Sequence, residues 1–122
     1  MNISKQYLAG FIDGEGNINL GKMPDKRLKK GWTVRYQVRV TGQCKEIIER
    51  IQQEYGGCIQ IKKNQKECYQ LEINKKEGIY NLLKDILPYL IIKKSQAKRL
   101  YLFVKNRLNT HKKLTDKELD KL

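Results

Sequence analysis

The sequence predicts an α+β domain in which two antiparallel β-hairpins share one sheet and helices cover a single face of it. Three observations predict it. Apolar residues alternate in short runs, the runs come in pairs across turn-forming segments, and apolar stripes at helical spacing stand before, between and after the pairs. At 122 residues, 39% of them hydrophobic, the chain can build one modest core and not two.

Ser4 caps a helix over 5–14, because its hydroxyl accepts an orphan amide of the first turn and glycines punctuate the far end. Residues 17–23 and 32–40 follow as strands. In the second, Val34, Tyr36, Val38 and Val40 share one face, and Thr33, Arg35, Gln37 and Arg39 share the other. Between them, 24–31 carries Lys26, Arg27, Lys29 and Lys30 and suits a solvated loop. Residues 44–55 place Ile47, Ile48 and Ile51 at helical spacing until Gly56 and Gly57 end the helix. A second hairpin spans 57–63 and 67–74, with Ile59, Ile61, Tyr69, Leu71 and Ile73 inward around an Asn64, Gln65, Lys66 turn. A helix over 77–87 repeats Ile79, Leu82, Leu83 and Ile86 and stops near Pro88; Ser95 opens another that runs through Arg107. The coarse order is αββαββα, with the helix from Ser95 after it, within a domain over 1–108. The remainder, 109–122, is too polar to add to the core and reads as a tail or loose helix.

There are 26 Lys and Arg against 13 Asp and Glu, a formal charge of +13 spread along the whole chain. Such a surface implies a polyanionic partner, with nucleic acid ahead of a membrane surface, because basic surfaces bind phosphate backbones by releasing counterions. The sheet face left bare by the helices would present Asn17, Asn19, Arg35, Gln37, Arg39, Gln60, Lys62 and Gln70, all of one parity. An open antiparallel face of this kind fits a DNA major groove; the plainer reading is a solvated face. No apolar run reaches the roughly 20 residues that cross a bilayer, and 1–4 lacks a signal-peptide pattern, so a soluble intracellular protein without a membrane or small-molecule partner is expected. The compartment is left open. Cys44, Cys58 and Cys68 contain no Cys-x-x-Cys pair and read as ordinary thiols rather than a disulfide framework or, with His111, a zinc site.

The stretch from Leu8 to Gly16 carries the most information. Leu8, Phe11 and Ile12 share the face that enters the core, whereas Gly10 and Gly14, four apart, leave a bare groove that lets a second helix approach closely. Glu15 falls at the negative end of the helix dipole, so something positive should offset it. If two such helices pair about a twofold axis, two Glu15 carboxylates meet and a hard divalent cation is their natural neutraliser. A solvated acid at a helix end is the alternative.

This stretch resembles the signature of the LAGLIDADG homing endonucleases, with Asp13, Gly14, Glu15 and Gly16 at its acid-small-acid-Gly end. The resemblance implies the family's αββαββα fold with a saddle-shaped antiparallel sheet. One copy of the motif implies a homodimer on a near-palindromic site. It also implies that Glu15, here in place of the family's Asp, and the Gly14 carbonyl hold Mg²⁺ or Mn²⁺, and that Gly10, Asp13 and Gly14 belong to the helix interface. Residues 88–97 resemble the family segment with a basic active-site residue, which assigns that role to Lys93 and a backbone contact to Lys94. Residues 40–45 resemble a Val-Thr-Gln stretch whose Gln orients water. Gly42 intervenes here, so Gln43 is the counterpart.

The expected activity is hydrolysis of both strands of a long double-stranded DNA target, one strand per subunit, with Lys26 and Arg27 adding to the basic face. An RNA maturase of the same fold, a DNA-binding protein without cleavage and a small ribosomal-type RNA binder are the competing readings. The lone His111 argues against nucleases built on a His base.

Overall fold

The computed structural model describes residues 3–63 and 67–110. Ser4 Oγ accepts from the Tyr7 N–H at 3.1 Å and starts α1 (Lys5–Glu15). The chain turns directly into β1 (Gly16–Pro24) and returns as β2 (Trp32–Gly42), antiparallel, with Asn17 opposite Arg39 and Gly21 opposite Arg35. After α2 (Lys45–Tyr55) come Gly56 and Gly57, both at positive φ. A Cβ on Gly57 would lie 2.6 Å from the Glu72 carbonyl oxygen, so the chain enters β3 (Cys58–Lys63) that closely only through glycine. Then follow β4 (Glu67–Ile73), α3 (Lys76–Ile86), a 3₁₀ turn over Leu87–Tyr89 that holds Pro88, and α4 (Lys94–Thr110). The expected turn at 64–66 and, beyond the last two positions of α4, the expected tail lie outside the described residues.

The sheet is antiparallel throughout, in the order β1-β2-β4-β3. Val38 and Val40 of β2 and Leu71 and Ile73 of β4 alternate onto one face and are buried there. They form one core with Ile12 of α1, Ile48 and Ile51 of α2, the 79, 82, 83 and 86 stripe of α3, and Leu100 and Val104 of α4. Ile61 keeps the expected parity, opposite Tyr69, but at 54% exposed it is not buried; β3 is an edge strand of the sheet. No helix among the described residues is long and apolar enough to cross a membrane.

One polar knot fixes how the helices sit. Lys5 Nζ of α1 donates to Asp85 Oδ2 of α3 at 2.9 Å and to Glu54 Oε1 of α2 at 3.2 Å, and the Tyr55 hydroxyl donates to the same Asp85 oxygen at 2.6 Å. Burial and the bond to Asp85 push the Tyr55 phenol up to about 12. Three helices therefore meet on one carboxylate. Asp85→Ala should cost about 1–2 kcal/mol, the lower part of the range for charged hydrogen bonds because the group is partly solvated, as read by urea denaturation at neutral pH.

Candidate active site and nucleic-acid face

The site is built at the C-terminal end of α1. Gly16 closes the helix with its N–H donating to the Ile12 carbonyl, and a Cβ there would lie 2.7 Å from that oxygen. Only glycine lets the helix pass straight into β1, which leaves Glu15 on an exposed corner. The Asp13 carboxylate turns inward and grips the segment ahead of α4: Oδ2 accepts from the Ile91 N–H at 2.7 Å and Oδ1 from the Lys93 N–H at 2.9 Å. In return, Lys93 Nζ donates to the Asp13 carbonyl oxygen. The positive group that the end of α1 calls for is thus Lys93, delivered from 80 residues away in sequence. Asp13, expected among the helix-interface residues, is buried in its own chain because two amide donors of the 91–93 segment need its oxygens.

Burial alone would raise the Asp13 carboxyl, but the N–H groups of Ile91, Lys93 and Ile92 and the nearby Lys93 charge outweigh it and hold it below its ordinary value of 3.8. A carboxyl with a lower folded-state value contributes its full stability at neutral pH and loses it as pH falls through that value. Asp13→Asn should therefore lower stability by about 2–3 kcal/mol at pH 7, since a buried N–H loses its charged acceptor. The gap between variant and wild type should close in denaturation curves taken progressively below pH 4.

The structure brings Asp13 and Lys93 into contact and sets Glu15 two residues beyond them. Gln43 is exposed just after β2, and the preceding Gly42 lies against α1, where an added Cβ would sit 3.0 Å from Phe11 Cζ. Gly10 and Gly14 are exposed, and nothing lies within 4 Å of a Cβ built on either. Tyr7 on the same helix is 52% exposed, and Ile91 and Ile92, tied to the helix end by Asp13, are 84% and 77% exposed. Exposed apolar side chains thus stand on α1 and on the segment that Asp13 ties to its end.

Among the described residues, no group of three or more His, Cys, Asp and Glu side chains gathers in one chain, and the Glu15 carboxylate makes no ion pair or hydrogen bond. With the Asp13 oxygens taken, one copy offers here a single free carboxylate, which with the Gly14 carbonyl makes a hard oxygen set suited to a divalent cation only when a second copy adds its own. His111 lies outside the described residues.

The ladder aligns the polar residues of the open face. Asn17 faces Arg39, Asn19 faces Gln37, Arg39 faces Glu72, and Gln60 faces Gln70. Asn19, Gly21, Lys22, Arg35 and Arg39 line a shallow hollow of about 350 Å³, and Lys62, Lys26 and Lys94 are exposed. Two expected members of the face do not stand free. Gln37 and Gln70 are each 5% exposed: they lie flat, with Gln37 Nε2 donating to Asn74 Oδ1 and Gln70 Nε2 to Glu72 Oε1. Arg27 folds back onto Asp25, its Nε at 3.1 Å from Oδ1. Sequence reasoning also missed Glu72 and Asn74. Glu72 shares the alternation of the face, so strand parity alone could have placed it there.

Among the described residues, four α-helices and a four-stranded antiparallel sheet make an α+β fold that is shared with solved LAGLIDADG homing endonucleases. The family model for LAGLIDADG endonuclease matches residues 8–107, and the chain belongs to that family. It is 28% identical to the DNA endonuclease I-CvuI of Chlorella vulgaris over 109 residues, 85% of this chain and 65% of that protein. To the DNA endonuclease I-CreI of Chlamydomonas reinhardtii it is 28% identical over 117 residues, 93% and 69% of the two chains. The chain thus spans about two thirds of the length of these relatives. The crystal structure of I-CvuI with the I-CreI target, in the presence of Mg and with the DNA not cleaved, matches at a TM-score of 0.69 and 27% identity over 87% of this chain and 68% of that one.

Proposed function

We propose that the protein is a site-specific endonuclease that hydrolyses both strands of a long, near-palindromic duplex DNA target as a divalent-metal-dependent homodimer. The observation that carries this reading is the free Glu15 carboxylate at the end of a helix whose Gly10 and Gly14 surface is bare, with Lys93 held beside it. Pairing two copies through that surface covers the exposed Ile91 and Ile92 and brings two Glu15 side chains to one axis. Glu15 and the Gly14 carbonyl hold the cation. Bound there, Mg²⁺ or Mn²⁺ supplies charge balance for the attacking and leaving oxygens of the scissile phosphate.

The rest of the work belongs to the chain. Lys93 spends one of its three donors on the Asp13 carbonyl and keeps the others for the phosphate, where its charge offsets what develops as the bond to the leaving oxygen breaks. Gln43 orients the attacking water by hydrogen bonding. The basic face docks in the major groove, Arg35 and Arg39 toward base edges and Lys62, Lys26 and Lys94 toward phosphates. The names of the two relatives, both DNA endonucleases, and the DNA in the I-CvuI crystal support this reading.

The test is incubation with a pool of end-labelled random duplexes, in Mg²⁺ and in EDTA, with structured RNA as competitor. Mg²⁺-dependent shortening of a subset of duplexes that RNA does not suppress is the expected result. Binding without cutting under any divalent metal contradicts the enzyme, and preferential capture by the RNA favours a maturase.

A further inference from the structure

An acid in the middle of a surface that meets phosphates weakens every approach to DNA, so Glu72 on the open face of a chain of formal charge +13 needs a reason. Its surroundings supply one. Glu72 Oε1 lies 3.6 Å from Arg39 Nε, directly across the β2–β4 ladder, and accepts from Gln70 Nε2 at 2.8 Å. On the other side, Arg39 Nη2 donates to Gln37 Oε1 at 3.1 Å, and Gln37 is itself oriented by donating Nε2 to Asn74 Oδ1 at 2.9 Å. Five side chains thus form a chain of contacts across two central strands, and the arginine is its middle member.

We infer that Glu72 is a specificity-determining positioning residue: it locks the Arg39 guanidinium in one orientation, so that in each half-site this arginine reads guanine at one base pair. An arginine's long side chain ordinarily satisfies itself on any nearby phosphate. Here Arg39 Nη2 is hydrogen-bonded to Gln37, while the buried Nε, which has no hydrogen-bond partner, is paired with the Glu72 carboxylate by charge at 3.6 Å; Arg39 is half-buried and lines the hollow with Asn19 and Arg35. A fork fixed in that way can meet the paired O6 and N7 acceptors of guanine but not swing to a phosphate. Gln37 and Gln70, buried with their amides engaged, act in the same frame as supports for Arg39 rather than as readers.

The inference rests on the DNA reading proposed above. It is tested by selecting bound duplexes from a random library with wild type, Glu72→Gln and Arg39→Lys, sequencing the selected pools and measuring affinity against salt. Glu72→Gln keeps the shape and removes the charge. The expected result is that preference for guanine at one position per half-site falls about tenfold in Glu72→Gln while total affinity holds or rises, and that Arg39→Lys loses preference at the same position. A uniform loss of affinity across all sequences, or a selected site unchanged in Glu72→Gln, overturns the inference while leaving DNA binding intact. No enrichment of any duplex by the wild type overturns the DNA reading and this inference with it. Should Glu72→Gln fail to fold, Arg39→Lys decides: a site unchanged in that variant overturns the role.

Discussion

Glu15→Gln is expected to reduce strand cleavage by a factor of roughly 10³ or more while binding to the duplex persists, because under the proposed function Glu15 holds the cation and a neutral amide is a poor ligand for a hard cation. The structure gives a specific reason to expect the two effects to separate. The Glu15 carboxylate is exposed and bonds to nothing among the described residues, so its loss leaves α1 and the core as they were. Exposed substitutions of this kind change stability by about 0.5 kcal/mol or less. Equal melting temperatures, equal gel-shift affinity and absent cleavage are the expected set. Retained cleavage would remove Glu15 from the chemistry.

If two copies pair through α1 as proposed, Gly10→Leu should leave a folded protein that does not dimerise. Nothing lies within 4 Å of a side chain begun at this position, so the monomer accommodates leucine without a clash, and a helix interior gains up to about 1 kcal/mol when glycine is replaced. Between two copies the same side chain fills the space that backbone contact requires. Sedimentation velocity should show the variant at monomer mass where the wild type runs as a dimer, with the melting temperature equal or higher and double-strand cutting lost. A wild type that is monomeric at tens of micromolar, or a Gly10→Leu dimer that still cuts, contradicts the paired-helix site.

Much of this architecture is legible in the chain. The alternation at 34, 36, 38 and 40 assigns the two faces of β2, Ser4 marks the start of α1, and the Gly56, Gly57 pair marks the end of α2, all as observed. These features are local, and local chemistry decides them. What the sequence hides is of two kinds. Contacts between distant segments carry no periodic signal, so the Asp13 grip on 91–93 and the Lys5–Asp85 knot are absent from any reading of spacing. Parity, in turn, says which face a strand residue belongs to and not whether its side chain stands up or lies down. Gln37 and Gln70 lie down because Asn74 and Glu72 offer acceptors within reach, and Ile61 has the inward parity yet is exposed. In the candidate site, Glu15, Gly14 and Lys93 are named by the motif they resemble, while the reason Lys93 belongs beside α1 appears only when its ammonium is seen on the Asp13 carbonyl.

Under the proposed function, two copies of this chain cut one DNA duplex about a shared axis, each copy taking one strand. Sequencing both ends of every product cut from a random duplex library in Mg²⁺ tests it most directly. The expected result is a single long site with approximate twofold symmetry, both strands cut at a fixed short stagger centred on the symmetry axis. Cuts on one strand only, or ends scattered without a common or symmetric site, would contradict it.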